Sequence, residues 1–145
     1  MSLLTRNLFG NQDLGLLVYR LVIGACIFMH GLAKMQGGEA TLTTVGSAVA
    51  NVGIHEGFFI FGTLAALTEI IGGVLVCIGL FTRLGALGVV ITMLFAFLFQ
   101  MDNGMMKWIY PIEVGVGFLM LFLAGPGRFS IDAMISGKRL RLWSE

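Results

Sequence analysis

The chain has 145 residues, of which 57% are hydrophobic and only 12% charged, and its mean hydropathy is +0.94. A soluble domain carries about twice that share of charge, so the composition excludes an ordinary soluble enzyme and points to an integral membrane protein of one domain, 1–145. A formal net charge of +1, with no basic stretch interleaved with aromatics, gives no basis for a nucleic-acid partner.

Met1 to Gln12 is short and polar, with Arg6 as its one charge. A first membrane span is expected at about 13–33, around LGLLVYRLVIGACIFMHGL. Its length, its internal Arg20 and the lack of a small-x-small cleavage site argue that it is retained rather than removed as a signal peptide. Arg20 lies about two turns inside the start. His30 and Lys34 mark the end, where Lys34 is expected to snorkel towards water. In the 35–56 connection, Leu42, Val45, Val49 and Val52 recur at three- and four-residue steps. That is the spacing of a short amphipathic helix lying in the interface plane, with a loosely ordered loop as the alternative.

The second span, expected at 57–80, carries one ionisable residue, Glu69, near its centre. A carboxylate at that depth costs about 3 kcal/mol on insertion scales unless it is neutralised, paired or hydrated. Gly62, Ala65, Ala66, Gly72, Gly73 and Val76 lie three, four and seven residues from it and so share its helical face. Such a small-residue face admits another backbone, while Phe61, Leu64, Leu67, Ile71 and Leu75 form the opposite, bulky side. Glu69 is therefore expected to face protein.

Phe81-Thr82-Arg83 breaks the chain before a third span, 84–100, which has no internal charge and is expected to be the lipid-facing scaffold. Asp102-Asn103-Gly104 is a turn. The fourth span is expected at 108–124, opening with Trp108 and Tyr110 at the interface and Pro111 in a first helical turn. It contains Glu113 and stops at Gly125-Pro126-Gly127, after which Ser130 can cap a brief helix in the 125–145 tail. The expected fold is thus all-α, a four-transmembrane-helix bundle with a short interfacial helix between spans 1 and 2. Arg6, Arg83, Arg128, Lys138, Arg139 and Arg141 fall on the side of the termini, against Lys34 and Lys107 on the other. By the positive-inside rule, six against two places both termini in the cytoplasm of a bacterial-type plasma membrane.

Arg20, His30, Glu69 and Glu113 are ionisable groups at membrane depth or just inside its boundary. Rise per residue matches Arg20 in depth with Glu69, and His30 or Lys34 with Glu113. Either set can do chemistry or only lock helix register. Glu69, Arg20 and His30 are the candidate catalytic groups, with Glu113 and Lys34 as candidate binding groups. Cys26 and Cys77 are expected as buried thiols at lipid depth; a redox pair would need their Cα atoms within about 7 Å. Two histidines without HxxxH or ExxH spacing make no standard metal site. Met101, Met105 and Met106 suit either a soft metal or packing against the bundle mouth.

These residues resemble the DoxX family of small four-span membrane proteins. The resemblance rests on Arg20, the run His30-Gly31-Leu32-Ala33-Lys34, the run Glu69-Ile70-Ile71-Gly72-Gly73, the turn Gly79-Leu80-Phe81-Thr82-Arg83, and the closing Gly125-Pro126-Gly127-Arg128-Phe129-Ser130-Ile131-Asp132. It covers about 14–133 and implies a four-helix membrane bundle. It also implies redox work, through the family's likeness to the membrane subunit of an archaeal thiosulfate:quinone oxidoreductase. Three readings follow. The first is a quinone- or thiol-linked redox component acting with a partner protein, quinone binding in an apolar cleft. The others are a small-solute or proton-coupled carrier, expected to work as a homo-oligomer, and a structural or accessory subunit.

Overall fold

The computed structural model describes residues 12–136, and within them every regular element is helical. Four helices are long and apolar enough to cross a membrane: α1 (Gln12–Gln36), α3 (Phe58–Ile78), α4 (Thr82–Gln100) and α5 (Met105–Ala124). Between the first two lie α2 (Gly38–Gly46) and a 3-10 turn (Ser47–Val52), and a short α6 (Ile131–Ile135) follows the last span. The tail charges Arg6, Lys138, Arg139 and Arg141 lie outside the described residues.

The breaks between α3 and α4 and between α4 and α5 are too short for anything but an antiparallel return. The order of the spans around the bundle is α1, α3, α4, α5, with a slighter contact closing α5 onto α1. The core is Ile27, Val76, Ala86, Val89, Met93, Phe118 and Leu121. Among the spans, α1 and α3 share the most extensive seam. A Cβ on Gly24 would lie 2.8 Å from the Gly73 carbonyl oxygen, and one on Gly73 would lie 2.7 Å from that of Gly24. Backbones this close gain van der Waals contact where no hydrophobic force separates lipid from protein. The small face of α3 is buried as its spacing requires, through Gly62, Ala66, Gly72, Gly73 and Val76. Leu64, Leu67 and Ile71 are exposed on the other side.

Three expectations change. The third span, α4, is not an outlying scaffold: it buries Thr82, Gly85, Ala86, Val89, Thr92 and Met93 between α3 and α5. Its small residues near the start admit α3, and only its remaining side faces outward. The expected helix between spans 1 and 2 forms as α2 and packs on the start of α3. Gly46 sits against the Phe58 carbonyl and Gly62 against that of Leu42, so neither position has room for a side chain. Leu42 and Val49 are buried there, whereas Val52 is exposed and leaves the stripe. The helix α5 begins at Met105, so Pro111 lies inside it rather than in its first turn. Met101, Met105 and Met106 are all exposed and do not pack against the bundle mouth.

Candidate functional site

Two fully buried charges organise the bundle, Arg20 and Glu69, each with no exposed surface. They do not meet. Arg20 Nη2 donates to the carbonyl of Phe129, at the end where α3 and α5 finish. Glu69 Oε1 lies 2.5 Å from Lys34 Nζ, towards the opposite end. The depth-matched Arg20–Glu69 pair is therefore replaced by Lys34–Glu69. The α1–α3 register explains the exchange: Gly31 packs on Ala66 and Ile70, so Lys34 starts about a turn above Glu69 and its stem reaches down. Lys34 accordingly does not snorkel; its side chain is only 20% exposed.

At the Arg20 end, two of the sequence runs that carry the family resemblance come together. The 79–83 turn and the 125–132 segment share three hydrogen bonds. Asp132 accepts from the Phe81 N–H at 2.8 Å and the Thr82 N–H at 2.9 Å, and its own N–H donates to the Gly79 carbonyl at 2.9 Å. Asp132 thus caps α4 from another helix, placing a carboxylate at a helix N-terminus where the dipole favours it. Burial raises its carboxyl, but the Thr82 and Phe81 N–H donors and the nearby Arg20 charge outweigh this and hold it below the usual carboxylate range. Ser130 caps α6, its Oγ accepting from the Ala133 N–H at 3.1 Å. The Arg128 N–H donates to Asp13 at 2.8 Å, tying the segment to the start of α1. Arg20 is the pin under this strap: a side chain on Gly79 would strike its guanidinium.

The Glu69 centre is built differently. One carboxylate oxygen takes the lysine; the other, Oε2, is buried with no hydrogen-bond partner among the described residues. The His30 and Tyr110 rings stack, with centroids 5.1 Å apart and planes inclined by 27°. His30 is exposed on the α1–α5 seam, one turn from Lys34. Tyr110 has no motif around it to mark it in the sequence, yet it completes the site by packing across that seam.

Glu113 is exposed and has no ion-pair partner among the described residues, so the expected pairing with His30 or Lys34 does not form. Gly117 against Tyr19 and Ile23, together with Tyr110 against His30, sets an antiparallel register. That register brings Glu113 level with Cys26 on the same seam. Both cysteines are free, Cys26 exposed and Cys77 half-buried, so the thiols are less enclosed than their place in the spans suggested. The site thus gathers a part-exposed lysine, a buried acid and a histidine–tyrosine stack.

A model of the DoxX family matches residues 15–102. The chain belongs to the DoxX family. Over 133 residues it is 31% identical to the inner membrane protein YqjF of Escherichia coli, a match covering 88% of this chain and 96% of that protein. Over 72 residues it is 42% identical to a Bacillus subtilis protein named "Putative oxidoreductase CatD", covering 50% of this chain and 48% of the relative. No solved structure matches. The DoxX match takes in Arg20, His30, Lys34 and Glu69 and stops short of Tyr110 and Glu113. The protein is a multi-pass membrane protein of this family.

Proposed function

We propose that this DoxX protein is a quinone- or thiol-linked redox component of a bacterial plasma membrane, with both termini in the cytoplasm and a partner protein supplying electrons. The observation that carries the reading is the unpartnered Glu69 Oε2 beside the Lys34 ion pair, with the His30–Tyr110 stack one turn along α1 from Lys34. An unmet buried acceptor costs about 1–3 kcal/mol, and a ligand hydroxyl would offset that cost. Quinone is the substrate class whose reduction takes up two protons with two electrons, and it reaches the protein through lipid. Its polar head suits the stack at the seam, with Glu113 at its border. Lys34, part-exposed, exchanges protons with water, and Glu69 holds one inside. The name of the B. subtilis relative supports redox work.

With Lys34 engaged inside the bundle, the sequence's charge asymmetry becomes six against Lys107 alone, which supports the cytoplasmic placement of the termini. A carrier is the weaker alternative, because the α1–α3 seam is closed backbone to backbone at Gly24 and Gly73. Gentle extraction followed by mass spectrometry of bound lipids tests the proposal. Quinone is expected with the wild-type protein and absent from Glu69→Gln and His30→Ala. Wild-type protein carrying no quinone and showing no quinone-dependent activity would contradict it.

A further inference from the structure

The basic end of the bundle holds a groove on the strap over Arg20, away from the Glu69 centre. It has a volume of about 820 Å³ and is lined by Asp13, Asp132, Arg83 and Arg128, with Phe81 and Leu84 at its margin. The charges in and beside it do not cancel. Arg128 is matched by Asp13, its Nε 3.3 Å from Oδ2. Asp132 faces the buried Arg20, and both its oxygens already accept backbone N–H groups. Arg83, whose guanidinium lies beside Gly125, has no ion-pair partner among the described residues. One positive charge is left over, which matches a monoanion.

The border of the groove indicates where that anion comes from. Phe81 is 63% exposed and Leu84 67%, and α6 bares Met134 and Ile135 on the same end. Bare apolar side chains next to arginines suit the level where acyl chains meet headgroups. Phe81 also holds a left-handed backbone, φ 46°, rare for a non-glycine residue. The Asp132 carboxylate fixes it there while its ring is directed outward instead of into the core.

We propose that this groove binds a phosphate monoanion, the phosphodiester of an anionic membrane phospholipid. Arg83 is its charge partner, and the acyl chains run over Phe81 and Leu84. Guanidinium is the side chain best matched to phosphate oxygens, and basic pockets at the cytoplasmic side of spans suit such headgroups.

The test titrates detergent-purified full chain with phosphatidylglycerol, phosphatidylcholine or inorganic phosphate alone, following Tm, while native mass spectrometry counts retained lipid. Phosphatidylglycerol is expected to raise Tm saturably and phosphatidylcholine far less. Arg83→Gln, at an exposed position, is expected to weaken the lipid midpoint about tenfold. Lys107→Gln, at the opposite end, should leave it unchanged. A rise with inorganic phosphate alone that Arg83→Gln removes would keep the anion site and assign it a soluble ligand. Equal responses of wild type and Arg83→Gln to all three additives would overturn the site.

Discussion

The two ends of this bundle each bury one charge, and they treat it in opposite ways. At the Arg20 end the guanidinium sits beneath a strap whose carboxylates, Asp13 and Asp132, and carbonyls, those of Gly79 and Phe129, are already committed to named partners. At the Glu69 end the acid has one partner, a lysine still touched by solvent, and one oxygen left over. Burying an ion costs several kcal/mol in either place. Both ends leave buried polar atoms unpartnered among the described residues, Arg20 Nε and Nη1 at one and Glu69 Oε2 at the other; the difference is that a strap closes over the first while a part-exposed lysine reaches the second. The first arrangement fixes the ends of α3, α4 and α5; the second leaves an acceptor and a proton route.

The largest effect is expected at the ion pair. Lys34→Met or Glu69→Leu alone strands a buried charge, which typically costs about 3–5 kcal/mol. The double variant Lys34→Met/Glu69→Leu should recover most of that loss, as read from unfolding in mixed micelles. If the double variant is as unstable as either single one, the pair is not the unit the comparison assumes.

Arg20→Met comes next. It leaves the Phe129 carbonyl without its donor and Asp132 without its counter-charge, at about 1–3 kcal/mol. Quinone retention, normalised to folded protein, should be unchanged. Loss of quinone from a folded Arg20→Met protein would join the two ends functionally and break the contrast drawn between them.

Asp132 sharpens the structural end by pH. Its folded carboxyl sits below the ordinary value, so its contribution is complete above about pH 4 and is lost as pH falls through the folded value. Asp132→Asn should cost about 1 kcal/mol near neutrality, the usual scale for a lost cap. It should also flatten the acid limb of the stability curve; an unchanged limb would remove the cap from the account. Glu113→Gln is the mildest change. At an exposed position it should shift stability by less than about 0.5 kcal/mol, while weakening quinone retention if the head reaches that border.

Much of the fold was legible because hydropathy and small-residue spacing are local signals. The four spans, the Ser130 cap and the inward face of Glu69 all follow from them. The partner of each charge was not legible. Depth estimates place a Cα to within a turn, but a lysine or arginine stem spans more than a turn, so Lys34 and Arg20 could not be assigned by depth alone. The α1–α3 register that decides between them is set by Gly24, Gly31 and Gly73 acting across two helices. Tyr110 was missed as a site residue for the same reason: only the α1–α5 seam brings it to His30. The central place of α4 was obscured because a charge-free helix reads the same whether it faces lipid or a core of Val89 and Met93.

The central claim is that the Lys34–Glu69 pair is kept for a ligand rather than for packing. The most direct measurement compares bound quinone in wild type with that in Lys34→Met/Glu69→Leu, at equal amounts of folded protein in nanodiscs. The account expects near-wild-type stability with the quinone gone. A double variant that folds and holds as much quinone as wild type would contradict it.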